Sequence, residues 1–145
     1  MTTIAYRDGV LAADTQVNNG SARVGTVQKV HRRADGHMAA GTGDFSYTQR
    51  FIAWFLGGEA GEPPLPKRGD DGNDEGQGFI FRPDGRIVCF EGTGPNELTA
   101  PYWAQGSGRN FALGAMAHGA SAEEAVQAAM RHDVWTGGEI TVIHQ

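Results

Sequence analysis

Apolar and polar positions alternate from the start of the chain. TIAYR (Thr3–Arg7) and VLAAD (Val10–Asp14) flank Asp8-Gly9, the dipeptide that suits a tight two-residue turn, and so predict an antiparallel hairpin. A polar stretch, Thr15–Gly25, reads as a loop. VQKVHRR (Val27–Arg33) and HMAAG (His37–Gly41) then flank Asp35-Gly36 and predict a second hairpin. From Phe45 the period changes: Phe45, Phe51, Ile52 and Phe55 recur at helical spacing behind Asp44, a residue suited to capping, which predicts a helix over Phe45–Leu56. GFIFR and RIVCFEG around Pro83-Asp84-Gly85 predict a third hairpin, and Tyr102–Gln105 a further strand. GSGRNFALGAMAHG is helical from about Gly108. Ser121 and Glu124 form a capping box that opens a helix over Ala122–Arg131, and EITVIH (Glu139–His144) closes the chain as a strand. Hairpins dominate and no βαβ crossover is required, so the fold class is α+β, with helices layered on antiparallel sheets.

Composition narrows the setting. The length, 145 residues, suits one domain with a core of its own. A single cysteine, Cys89, excludes an intrachain disulfide and fits a reducing compartment. No apolar run approaches a membrane span and no secretion signal opens the chain, so a cytoplasmic setting and no membrane partner are expected. The net charge of −5 argues against a nucleic-acid partner, which needs a basic face. That charge is local. Gly57–Gly78 (GGEAGEPPLPKRGDDGNDEGQG) holds seven of the 22 glycines, three of the six prolines, six acids and two bases. Its apolar content is too small to offset the entropy of ordering, so a mobile acidic loop is predicted there. Asp71, Asn73 and Glu75 faintly echo a calcium loop, but Arg82 stands where the closing bidentate acid belongs. The five histidines lack ligand spacing, so no metal site is expected. Gly41-Thr42-Gly43 and Gly106-Ser107-Gly108 complete no dinucleotide fingerprint.

Four features bear on chemistry. Methionine before a small residue is normally trimmed, which would leave Thr2 first, carrying a hydroxyl nucleophile and, in its own α-amine, a base that titrates near ~7.7–8.0. Lys29 is one of two lysines and the only one outside the acidic loop. Half-buried beside a terminal amine, it would lower the amine's pKa by repulsion, while Asp14 limits its desolvation cost. Asp133 and Thr136, ahead of Gly137-Gly138, can turn so that their side-chain oxygens converge. Ser107 sits between two glycines at a helix start. Each has a plain reading too: many chains begin Met-Thr, Lys29 suits a solvated strand, Ser107 suits a cap, and Asp133–Gly138 suits a simple turn.

In order and spacing, however, these pieces resemble the proteasome β-subunit family of N-terminal-nucleophile hydrolases, and most of all the bacterial HslV-type peptidase subunit and its small bacterial or phage relatives. The matching residues are Thr2-Thr3-Ile4, Ala12-Ala13-Asp14, Val27-Gln28-Lys29-Val30, Ala39-Ala40-Gly41-Thr42-Gly43-Asp44, Gly106-Ser107-Gly108 and Asp133-x-x-Thr136-Gly137-Gly138. The resemblance implies a four-layer αββα sandwich, with the acidic loop in place of a second long helix of the usual set. It implies a threonine-type endopeptidase in which Thr2 is the nucleophile, Lys29 and Asp14 tune its amine, and Ser107, Asp133 and Thr136 complete the hydrogen-bond network. The oxyanion amide falls on Ala40 counting from Asp44, or on Gly41 counting from the strand, where the family usually has glycine. Met38 and Thr42 are candidate lining positions for substrate. No cofactor is implied; peptide or unfolded polypeptide substrates, a homo-oligomeric ring and an AAA+ ATPase unfoldase are. Two alternatives remain beside this: a non-catalytic ring or scaffold subunit, and an amidase of the same type acting on a small molecule.

Overall fold

The computed structural model describes residues 2–145; Met1, whose removal the chemistry above requires, lies outside the described residues. The elements in chain order are β1 (Thr3–Arg7), β2 (Val10–Ala13), β3 (Gln16–Asn19), β4 (Ala22–Thr26), β5 (Val30–Arg32), β6 (Met38–Gly43), α1 (Phe45–Leu56), β7 (Gly76–Phe81), β8 (Ile87–Glu91), β9 (Gly94–Leu98), β10 (Tyr102–Gly106), α2 (Arg109–Ala117), α3 (Ala122–His132) and β11 (Thr141–His144). The described residues are α+β, with antiparallel sheets and three helices. It divides into two compact units, one formed by the chain up to Val30 with Pro101–His144, the other by His31–Ala100 with Gln145.

In the first unit a four-stranded sheet runs β10-β1-β2-β11. The β1–β2 turn places Asp8 (φ 52°) and Gly9 (φ 75°) in the left-handed region, as a tight hairpin of this twist demands. Helices α2 and α3 lie on one face of the sheet, and the layer between is built of small residues: Ala5, Ala12, Ala104, Ala112, Ala122 and Ala125, with Met116 and Val126. Alanines let helix and sheet backbones approach closely. The capping box forms as expected: the Ser121 hydroxyl accepts from the Glu124 amide, and the Ser121 amide donates back to the Glu124 carboxylate.

The second unit is a five-stranded sheet, β5-β6-β7-β8-β9, with α1 packed against β6 and β7. Its core is aromatic, with Tyr47, Phe51, Phe55 and Phe90 around Ala39, Ile80 and Val88. The Phe51 and Phe90 rings meet at 5.1 Å, and Trp54 stands edge-on to Phe90 at 5.5 Å. Such pairs add about 1 kcal/mol each beyond burial. Asp44 caps α1 by accepting the Tyr47 amide at 2.8 Å.

Several expectations change. Thr15–Gly25 is not a loop but the β3–β4 hairpin, turning at Gly20-Ser21 with Gly20 at φ 61°. Its ladder forms although β4 is exposed throughout, so no alternation marks it. The strand expected over Val27–Arg33 shrinks to Val30–Arg32, and Lys29 precedes it. Exposed β9 adds an edge strand that the apolar pattern does not reveal. Gly76–Gly78, assigned by composition to the acidic loop, belong to β7 instead. At Gly78 a Cβ would stand 2.6 Å from the Phe51 ring, so only glycine lets the helix settle on the strand. Glu139 and Ile140 lie outside β11, and Phe45 is 54% exposed, its expected place in the core taken by Tyr47. No helix occurs between Leu56 and Gly76; that segment carries only the Arg68–Asp74 bridge.

Candidate active site

The end of β2 and the start of β1 lie side by side, because Ile4 pairs with Ala13. Asp14 therefore follows β2 directly beside Thr3. Its carboxylate is fully buried and takes three donors. Oδ1 accepts the Thr3 amide at 3.0 Å and the Lys29 ammonium at 2.9 Å, and Oδ2 accepts the Gly137 amide at 3.1 Å. The Lys29 side chain is 7% exposed. Burial pushes its pKa below the ordinary lysine range, against the charge and hydrogen bond of Asp14, which raise it. This cation thus shares one carboxylate oxygen with the backbone of the residue after Thr2 and does not project into bulk water.

The second carboxylate arrives from α3. Asp133 caps the C-terminal end of that helix, its amide bonded to the Ala129 carbonyl at 2.8 Å. Asp133 Oδ2 accepts the Ser107 and Thr136 hydroxyls, each at 2.6 Å, while Oδ1 accepts the Trp135 amide at 3.2 Å. Burial pushes this carboxyl up, but the two hydroxyls and the amide more than offset it and hold Asp133 below the usual aspartate range. Ser107 does not cap α2, whose N-cap is Gly108, with no side-chain cap bond. The Ser107 amide instead donates to the Thr2 carbonyl at 2.8 Å.

The flanking glycines have steric causes. Gly106 has φ 106°, and a Cβ there would collide with the Thr2 carbonyl; a Cβ at Gly108 would collide with the Thr3 hydroxyl and stand 2.8 Å from the Ala129 Cβ. Thr2 itself is 7% exposed. The structure thus brings Thr2, Asp14, Lys29, Ser107, Asp133 and Thr136 together within the first unit.

The remaining candidates lie on β6 in the second unit. Ala40 and Gly41 are opposite Phe79 and Gly78 in the β6–β7 ladder. Thr42 borders a surface hollow with Asn73, Asp74 and Gln77. Met38 is wholly buried opposite Phe81, a core position with no surface to offer a ligand.

Two residues at the first-unit site escaped the sequence reading. Gln16 is 4% exposed. Its side-chain amide donates to the Asn18 Oδ1 at 2.8 Å and the Val134 carbonyl at 3.1 Å, bracing the turn that carries Thr136 and Gly137. Ala12, Asp14 and Gln16 extend the two-residue alternation of β2, and that was the available signal. Thr3, fully buried, places its hydroxyl 2.7 Å from that of Thr136.

No family model and no curated protein matches this sequence. Among solved structures, Thiobacillus denitrificans BPH, a bacterial proteasome homologue, superposes in its complex with epoxomicin at a TM-score of 0.69. It is 20% identical, with 99% of this chain and 97% of that one covered. The same protein without the inhibitor gives 0.68 at 20% identity, covering 99% and 96%. The chain has a proteasome-like fold. Among the described residues no group of His, Cys, Asp and Glu side chains is arranged to hold a metal, and no helix is long and apolar enough to cross a membrane.

Proposed function

We propose that this chain is a threonine-type endopeptidase whose nucleophile is Thr2 after Met1 is removed, on a four-layer αββα fold of the HslV type. The observation that carries the reading is the sharing of Asp14 Oδ1 between the sealed Lys29 ammonium and the Thr3 amide. A cation held there raises the potential at the neighbouring α-amine, disfavours its protonation and keeps it available as a base near neutral pH.

In the first step the Thr2 hydroxyl oxygen bonds to the substrate's amide carbon, and its proton passes to the Thr2 α-amine. The tetrahedral oxyanion collapses; the C–N bond breaks and the leaving amine takes the proton back from the α-ammonium. Water then attacks the ester, giving its proton to the same amine. As the ester C–O bond breaks, the proton returns to the Thr2 oxygen and the acid product leaves. Ser107, whose proton is committed to Asp133, keeps lone pairs for the α-ammonium. No step uses a metal or an organic cofactor. A homo-oligomeric ring, an AAA+ unfoldase partner, polypeptide substrates and a cytoplasmic setting belong to the same reading.

The test is hydrolysis of a panel of unstructured fluorogenic peptides by protein whose first residue has been identified from intact mass. Activity in the Thr2-initiated form, lost in Thr2→Ala and blocked by epoxomicin, supports the proposal. Quantitative retention of Met1 in a folded, inactive protein overturns it and favours the scaffold role.

A further inference from the structure

We infer that Thr3, the residue after the proposed nucleophile, is a positioning residue whose hydroxyl donates into a hydrogen-bonded chain that runs through buried Thr136 and Asp133 to exposed Ser107. The inference rests on the endopeptidase reading for its effect on rate, though not for its geometry.

A hydroxyl has one proton. Thr136 spends its proton on Asp133 Oδ2 at 2.6 Å, so in the 2.7 Å contact between the Thr3 and Thr136 oxygens Thr3 is the donor. Ser107, also 2.6 Å from Oδ2, likewise spends its proton there, in preference to the 3.4 Å contact with the Thr2 carbonyl. Asp133 Oδ2 therefore receives two protons along short, charge-assisted bonds, and every proton in the chain has one destination. Thr3 starts the order: by donating to Thr136 it occupies a Thr136 lone pair and makes that hydroxyl a stronger donor to Asp133. The carboxylate thus stays fixed, and Ser107 presents lone pairs rather than its proton.

The surroundings are built around this contact. Thr3 and Thr136 are 0% and 2% exposed, so water does not compete. Gly108 has no side chain where one would strike the Thr3 hydroxyl, and a Cβ there would also lie 3.2 Å from the Thr136 oxygen. The Thr3 amide meanwhile bonds to Asp14, so one residue joins the Lys29–Asp14 pair to the Asp133 set, the first through its backbone and the second through its side chain.

Because the two roles use different atoms, they separate cleanly. Thr3→Val keeps the shape and the amide and deletes only the hydroxyl; Thr3→Ser restores it. In peptide hydrolysis by the Thr2-initiated protein, Thr3→Val is expected to lower kcat roughly five- to tenfold, the size one hydrogen bond carries, with KM unchanged and Thr3→Ser near wild type. In proton NMR the exchange-protected hydroxyl resonance of Thr136 is expected to broaden or vanish in Thr3→Val and to return in Thr3→Ser. Wild-type kcat in Thr3→Val, in a protein that Thr2→Ala inactivates, overturns the inference and leaves the endopeptidase reading standing. A Thr136 resonance unchanged by valine overturns it whatever the activity. Loss of that resonance in a protein with no hydrolysis upholds the hydroxyl chain and removes the endopeptidase reading instead.

Discussion

Asp14 and Glu59 are both carboxylates gripped by cations, and they are satisfied in opposite ways. Glu59 is 18% exposed and takes a bidentate pair from Arg82, at 2.8 and 2.9 Å, with a further 2.8 Å bond from Arg33. Arg33 also lies 4.5 Å over the Phe55 ring and bonds to Asp35 at 3.0 and 3.2 Å. Guanidinium groups stay charged at any accessible pH, and here their planar forks are matched by planar acceptors. Asp14, fully buried, has one ammonium and two backbone amides. Lysine is the cation whose pKa shifts on burial, and burial pushes that of Lys29 down. Arginines around a carboxylate make a clasp; at Asp14 a buried lysine shares its carboxylate oxygen with a backbone amide.

The sharpest break of this contrast is at the nucleophile. Thr2→Ala is expected to reduce peptide hydrolysis by roughly 10³-fold or more with an unchanged melting temperature, as read from steady-state rates and calorimetry. Lys29→Met comes next, with a loss of roughly 10²–10³-fold. Without the cation the α-amine becomes more basic, so the acid limb of the kcat/KM–pH profile should move to higher pH; an unmoved limb would deny Lys29 its tuning role. On the other side of the comparison, Glu59→Gln is expected to destabilise the protein by about 1–3 kcal/mol, since two arginines lose their anion, with hydrolysis unaffected. Denaturant unfolding beside the peptide assay checks it, and a rate loss as large as that of Lys29→Met would erase the distinction. The smallest effect concerns Asp133. Its folded pKa lies below the unfolded value near ~3.9, so its contribution to stability is present above that pH and is lost as pH falls through the folded value. The stability advantage of wild type over Asp133→Asn should therefore shrink below about pH 4, as read from melting temperatures along a pH series.

What the sequence discloses is mostly local. Asp8-Gly9, Asp35-Gly36, the Asp44 cap and the Ser121–Glu124 box each determine their own turn or helix end through backbone geometry and nearest neighbours, and each stands where it was read. Gly20-Ser21 is a hairpin signal of the same kind, yet its flanks QVNN and ARVGT hold only Val17, Ala22 and Val24 as apolar residues, and β4 is solvated throughout. Phe45 and Tyr47 exchange roles for a related reason: helical spacing identifies a stripe, but only packing against β6 and β7 selects which residues fall under it. At the candidate site, Asp14, Lys29, Ser107, Asp133 and Thr136 stand out by residue type and position. Thr3 and Gln16 do not, because a threonine or a glutamine in a strand announces nothing until tertiary structure removes water from its hydroxyl or amide.

The alanine layer between sheet and helices in the first unit acts as a ruler. Helix α3 rests on Ala5 and Ala12 through Ala122 and Ala125, and Asp133 is the next residue beyond that helix. Two methyl groups added in the layer, as in Ala125→Val, would lift the helix and carry the carboxylate with it. The position of Asp133 at the end of α3 thereby depends on the thickness of that layer.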